Sequence, residues 1–257
     1  IATRLSNVAE AVAIMAATGT SSRKMWQEYI FTLKMMIERA LKSGGQLFLG
    51  FIDVKKAYDS IPRNKLWKLL VNKGLSTQSV ELIKALYCDH RRKVILGRDI
   101  GETVWLECKK GVRQGCPLST LLFTLFLSNL PKEMREVNVG RGVPVGNRTI
   151  DILLFADDMV IIANNRKRFE ALLSKLGQSL KEKGLEINTK KSGVMHVGNP
   201  RSHLGEEVNW NISNKEGEVT RTIKEIREYK YLGIHLTATK GNKTFQRERT
   251  KVVHRLI

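Results

Sequence analysis

The sequence predicts an α+β domain. Helical and strand patterns alternate along its 257 residues. Two apolar strands, Ile150 to Phe155 and Met159 to Ala163, lie close enough to form a tight hairpin. Hydrophobic residues make up 42% and charged residues 27%, enough apolar material for a sizeable core. The same balance excludes a disordered tail and a collagen-like repeat. Apolar runs are too short to span a bilayer, so no membrane partner is expected.

The first residues, with the short, small apolar run Ala11 to Ala17 flanked by Arg4 and Glu10, read as a fragment boundary rather than a targeting peptide. Trp26 to Lys42 places apolar residues at 30, 33, 37, 40 and 41, one face of a helix that Gly44-Gly45 stops. Gln46 to Asp53 is a near-continuous apolar run, which fits a strand covered on both faces. Pro62 opens a helix to Asn72, with Gly74 as its stop. Ser76 caps another helix carrying Val80, Ile83 and Tyr87. Lys93 to Gly97 and Thr103 to Glu107 read as a hairpin, and Leu118 to Met134 as one buried helix. Gly-rich turns and short strands fill Val137 to Thr149. Phe169 to Lys183 is helical, and Leu185 to Ile187 and Val194 to Val197 flank a Lys-rich turn. Residues 199–222 resist assignment, Tyr229 to Leu236 reads as a strand, and Phe245 to Ile257 begins a basic helix.

Lys and Arg total 44 against 25 Asp and Glu, a net charge of +19. Such an excess points to a polyanionic partner, bound without regard to sequence. The clusters Arg91-Arg92-Lys93, Lys109-Lys110 and Arg166-Lys167-Arg168 are candidate duplex contacts, although a charge run is more often a solvated surface. Three cysteines, Cys88, Cys108 and Cys116, form no C-x-x-C pair. Their pattern argues for a reducing compartment and against a disulfide framework or a zinc site.

Acids stand where apolar residues are expected. Asp53 ends a buried strand, and Asp157 and Asp158 occupy the turn between two apolar strands in LLFADDMVII. An Asp-Asp pair alone is ordinary turn chemistry. Adjacent carboxylates nevertheless repel unless a cation sits between them. An acid on one strand facing an acidic hairpin is the layout that two-metal phosphoryl transfer needs.

Further strings accompany these acids. FIDVKKAYDS at 51–60 resembles motif A of reverse transcriptases, GVRQGCPLS at 111–119 motif B, and FADD at 155–158 motif C in its non-LTR (LINE-type) form. LEINTKKS at 185–192 resembles motif D, and Tyr231-Leu232-Gly233 motif E. The resemblance implies a right-hand polymerase palm, an antiparallel sheet backed by helices, with partial fingers. Residues 1–50 would be partial fingers, 51–244 palm with a fingers-like segment at about 62–110, and 245–257 the start of a thumb or linker.

The resemblance also implies roles. Asp53, Asp157 and Asp158, with the Val54 carbonyl, would hold two Mg²⁺ ions, for which Mn²⁺ could substitute. Tyr58 matches the aromatic gate that excludes a ribose 2′-OH. Gln114 and Gly115 match the loop along the nascent base pair, and Arg113 of the same motif would meet the template-primer. Lys191 matches the lysine proposed to protonate the leaving pyrophosphate, and Tyr231, Leu232 and Gly233 match the primer grip. For Cys116 and Ser119, loop packing and helix capping are the expectation.

The implied activity is RNA-directed DNA synthesis from dNTPs on an RNA template, with a DNA primer or nicked target DNA. The rivals are a non-catalytic nucleic-acid-binding palm and an RNA-templated RNA polymerase. An endonuclease and other element domains are expected in the full-length protein, and an intracellular ribonucleoprotein, nuclear and cytoplasmic. The chain departs from the family at three places. Gly19 to Lys24 lacks the usual Phe, Thr120 follows Ser119 where Pro is usual, and Ser192 replaces a Thr.

Overall fold

The computed structural model describes residues 25–87, 91–95, 103–107, 109–198, 209–214 and 216–238. Residues 1–24, Cys88, Gly97, Cys108 and the basic segment 245–257, all singled out by the sequence, lie outside the described residues. In chain order the elements are α1 (Met25–Ser43), β1 (Leu47–Ile52), α2 (Ala57–Ser60), α3 (Arg63–Asn72), α4 (Thr77–Ala85), β2 (Arg91–Ile95) and β3 (Thr103–Glu107). Then come α5 (Pro117–Leu127), α6 (Leu130–Arg135), β4 (Val143–Val145), β5 (Arg148–Ile150), β6 (Ile152–Phe155), β7 (Asp158–Ala163) and α7 (Arg166–Lys183). The last are β8 (Gly193–Val197), β9 (Asn209–Ser213), β10 (Val219–Lys224), β11 (Glu228–Tyr231) and β12 (Ile234–Thr237). Helices and antiparallel sheets share the chain, the α+β class the sequence predicts.

The described residues form two compact units. One holds Lys55–Asn129 and Glu182–Leu185; the other holds the chain up to Val54, Leu130–Lys181 and the residues from Glu186 onward. The second unit is built on a four-stranded sheet in the order β6-β7-β1-β8, with every pairing antiparallel. All six residues of β1 are buried, and alternation explains how. Leu47, Leu49 and Phe51 join one core with Ile30, Leu33 and Ile37 of α1 and with Tyr231 and Leu236. The opposite face meets α7, where Phe48 lies 5.8 Å from Phe169. Gly50 makes that approach possible, since a Cβ there would come within 2.7 Å of Ile161 and 2.9 Å of Phe169. A strand covered on both faces has no need of polar residues, hence its unbroken apolar run.

Several boundaries differ from the sequence reading. The expected single helix from Leu118 to Met134 is two, α5 and α6, broken at Ser128-Asn129. Pro131 has no N–H to continue the ladder, and the Ser128 hydroxyl donates to the Leu125 carbonyl (2.8 Å). The expected strand from Tyr229 to Leu236 is a hairpin, β11–β12. Leu232 (φ +47°) and Gly233 (φ +81°) are both left-handed, the pattern of a two-residue type I′ turn. Leu185 to Ile187 forms no strand but a single bridge, Ile187 to Val54. The unassigned stretch contains the β9–β10 hairpin. As expected, Ser76 caps α4, accepting from the Ser79 N–H (3.2 Å).

The cluster Arg166-Lys167-Arg168 is not all surface. Arg168 is buried, and its guanidinium donates to Asp151 (2.6 and 3.0 Å) and to the carbonyls of Val137, Val139 and Gly140 (2.8 to 3.1 Å). It is therefore withdrawn as a duplex contact. Arg168 instead ties α7 to the chain on either side of β4–β5. No helix among the described residues is long and apolar enough to cross a membrane.

Two outcomes follow for stability. Arg168→Met strands the buried Asp151 carboxylate and should cost about 3–5 kcal/mol in urea unfolding, whereas Arg166→Ala, at an exposed ion pair, should cost less than about 1 kcal/mol. His196 stacks on Phe48 at 4.0 Å with its Nε2 unpartnered, and burial, then the Arg166 charge, lowers its pKa to about 4. The unfolded chain binds that proton near the ordinary 6.5. Its contribution to stability is thus complete above that pH and lost progressively as pH falls toward 4. Melting curves across this window should fall less steeply for His196→Phe.

Candidate active site

Register places the acids. β1 runs against β7 with Phe51 opposite Val160 and Ile52 opposite Met159. The ladder ends there, and Asp53 and Asp158 are the next residues on the two strands, near enough for the Asp53 charge to act on the Asp158 carboxyl. Asp157 lies in the β6–β7 turn, whose last pair is Phe155 with Asp158. Ala156, the first turn residue, has φ +51°, a conformation that usually falls to glycine and costs an L-residue energy.

The electrostatics agree with the register. The Asp158 carboxyl is pushed up to about 6, first by burial and then by the charges of Asp157 and Asp53. Beside them, Tyr229 stacks on Phe51 at 4.3 Å, and burial followed by the Asp158 and Asp53 charges raises its phenol pKa. Tyr231 is raised too, burial leading and Asp158 next. Three half-buried carboxylates in one field are hard oxygen donors of the kind that divalent cations take. Among the described residues no three acid, His or Cys side chains converge as a closed ligand set. The Asp53 carboxylate also has a neutral partner outside the acid set.

That partner comes from the loop before β8. The Asn188 side-chain amide donates to Asp53 Oδ2 (2.9 Å), and the Asn188 backbone N–H donates to the Asp53 carbonyl (2.8 Å). The Asp53 N–H donates to the Ser192 hydroxyl (3.0 Å). Val54, next along, is buried and bridged to Ile187. Neither Asn188 nor this use of Ser192 was foreseen; 135 residues separate Asn188 from Asp53. Lys191 is exposed, and its carbonyl accepts from the Tyr229 hydroxyl (3.2 Å).

Tyr231 does not offer its ring to a primer. The residue is 2% exposed and packs 5.8 Å from Phe51 in the core. Strand alternation turns it inward, while Leu232 packs partly buried against the same core and Gly233 is exposed.

In the other unit, Tyr58 stacks on Phe123 at 5.1 Å. The motif B loop is zipped to the motif A helix: the Val112 N–H donates to the Tyr58 carbonyl (2.7 Å) and the Gly111 N–H to that of Ile61 (2.8 Å). Only glycine fits at 111, because a Cβ there would lie 2.6 Å from Asp59 Cα. Gly115 has φ +85° with open space around it, and Arg113 and Gln114 are exposed beside it. The Arg113 guanidinium lies 5.8 Å from the Tyr87 ring centre. Arg63, unremarked in the sequence, donates to the Gly111 carbonyl (2.8 Å) and so holds the loop. Cys116 sits at the N-cap of α5, whereas Ser119 is no cap; it is buried inside the helix against the Tyr87 hydroxyl (3.1 Å).

A groove of about 540 Å³ between α1 and the β4–β5 turn, lined by Met35, Arg39, Lys42 and Pro144 among others, contains none of these residues.

An antiparallel sheet with acids at one strand end and at a hairpin turn has the architecture of a polymerase palm. Residues 2–236 match the family model described as reverse transcriptase (RNA-dependent DNA polymerase), and the chain belongs to that family. It is similar to the Pol polyproteins of two R2 retrotransposable elements. The identity is 28% over 204 residues for the Nasonia vitripennis protein and 28% over 208 for the Drosophila melanogaster protein. The match covers 79% and 80% of this chain but 19% of each polyprotein. Among solved structures, apo telomerase from Candida tropicalis shares the fold, with a TM-score of 0.58 at 14% identity over 90% of this chain and 38% of that one.

Proposed function

We propose that the chain is the RNA-directed DNA polymerase core of a non-LTR retroelement polyprotein. The observation that carries this reading is the β1–β7 register. It ends at Ile52 opposite Met159, leaving Asp53 and Asp158 as the next residues on the two strands, and burial followed by the Asp157 and Asp53 charges raises the Asp158 carboxyl. Family membership supports it. Divalent metal use is general to reverse transcriptases; the finer reading is that Asp53, Asp157, Asp158 and the Val54 carbonyl would hold two Mg²⁺ ions, or Mn²⁺ in their place. When bound, such ions neutralise phosphate charge and acidify the attacking 3′-OH.

The chain's own residues then divide the work. The three carboxylates supply the anionic donors. Tyr58, five positions after Asp53, serves as the filter against a ribose 2′-OH. Gln114 and Gly115 line the incoming dNTP, with Arg113 and the Leu232-Gly233 turn toward template and primer. The exposed Lys191 holds a proton for the leaving pyrophosphate. RNA template, DNA primer or target DNA and dNTPs are the partners. The setting is a ribonucleoprotein of the nucleus and cytoplasm, with an endonuclease elsewhere in the polyprotein.

Asp157→Asn keeps the shape of the turn but removes an anionic donor. Several kcal/mol of transition-state stabilisation should be lost, a fall of roughly 100-fold or more in primer extension on RNA. Duplex affinity should hold or rise slightly. Extension at near wild-type rate would sink the assignment. Tyr58→Val should let ribonucleotides in while Mn²⁺ binding persists; an active variant with an unchanged dNTP-to-rNTP ratio would remove the gate.

A further inference from the structure

We propose that Asn188 and Ser192 are positioning residues for Asp53, forming a clamp that fixes the carboxylate from outside the acid set. The inference rests on the reading of Asp53 as a metal-binding acid. Asp53 follows the last residue of β1, where the ladder to β7 has ended. A carboxylate at a strand end keeps free rotation about χ1 and χ2 unless something restrains it. The 188–192 loop restrains the residue at three points, one on the carboxylate and two on the backbone that carries it. The Asn188 amide donates to Oδ2 (2.9 Å), the Asn188 N–H donates to the Asp53 carbonyl (2.8 Å), and the Ser192 hydroxyl accepts from the Asp53 N–H (3.0 Å).

The clamp is itself rigid. Within the loop, the N–H groups of Lys191 and Ser192 donate to the Asn188 carbonyl (3.1 and 2.9 Å). The Ile187–Val54 bridge holds its near end, and the Tyr229 hydroxyl holds the Lys191 carbonyl. Ser192 is buried, which excludes water as a competing partner for the Asp53 N–H. The chemistry at 188 is selective. An amide orients the carboxylate plane while adding no charge, so it neither repels Asp158 nor competes with a cation for the acid's negative charge.

The test is Mn²⁺ titration of the 257-residue chain followed by electron paramagnetic resonance, with melting temperature and RNA/DNA duplex affinity measured on the same samples. For Asn188→Ala, the apparent Mn²⁺ Kd should rise about 10- to 100-fold, the range for loss of an outer partner of a metal ligand. Melting temperature and duplex affinity should stay near wild type. Ser192→Ala should weaken Mn²⁺ binding, and Ser192→Thr, which keeps the hydroxyl, should restore it. If Asn188→Ala binds Mn²⁺ within about twofold of wild type while Asp53→Asn abolishes binding, the clamp is wrong and the metal reading stands. If Asp53→Asn binds like wild type, the metal reading fails and takes the clamp with it. Should Asn188→Ala unfold, the Ser192 pair decides: equal Mn²⁺ affinity for Ala and Thr overturns the proposal, and loss with Ala but not Thr upholds it.

Discussion

Three carboxylates repel one another at the end of the sheet, and the rest of the second unit is arranged so that they stay. β1 holds Asp53 in place without help from its charge. Leu47, Phe48, Leu49, Phe51 and Ile52 are buried on a strand paired on both sides, each worth about 1.5–3 kcal/mol. Repulsion between partly solvated charges is of order 1–4 kcal/mol per pair at close range. Hydrocarbon burial wins, so the acids sit where register puts them. Burial first, and then the repulsion from Asp157 and Asp53, appear in the raised Asp158 carboxyl. α1 and α7 are needed on opposite faces for this reason: exposing either face of β1 would remove much of the energy that opposes the repulsion.

The first unit solves a different problem, bringing two loops into backbone contact. Side chains cannot do this at Gly111, where Asp59 Cα leaves no room for a Cβ. The Tyr58 and Ile61 carbonyls accept directly from the motif B backbone, and Arg63 closes the contact from the α3 side. The carbonyl of Tyr58 is thereby fixed while its ring stacks on Phe123. Position and orientation of that ring are determined by separate interactions.

Elements whose burial follows a simple period were legible in the sequence. α1 showed its 3.6-residue stripe, β1 its unbroken apolar run, and β6–β7 its short turn. What failed was local or distant. Leu118 to Leu127 is largely apolar, but Ser128-Asn129 and Pro131 mark a break that the apolar run before them conceals. Leu232-Gly233 makes a turn inside a β-rich string, because a leucine accepts a left-handed φ there. Arg168 looked like its neighbours in a basic run, and only the fold shows that it faces Asp151. The three acids were visible as charges in apolar surroundings. Asn188 was not, since an Asn in a Lys-rich turn looks like turn chemistry until β1 and the loop are brought together.

The loop before β8 joins segments that lie far apart in the chain. On one side it grips Asp53, and on the other Tyr229 hands it a hydrogen bond from the β11–β12 hairpin. Tyr229 in turn stacks on Phe51, two residues before Asp53. The strand, the loop and the hairpin thus close a ring of contacts beside Asp53. Residue choice within that ring follows the field. A carboxylate at 188 would add another negative charge beside Asp53 and Asp158, and a lysine would neutralise the anionic charge that a cation needs. A neutral donor orients Asp53 without altering the charge of the site, and among short side chains an amide supplies the N–H.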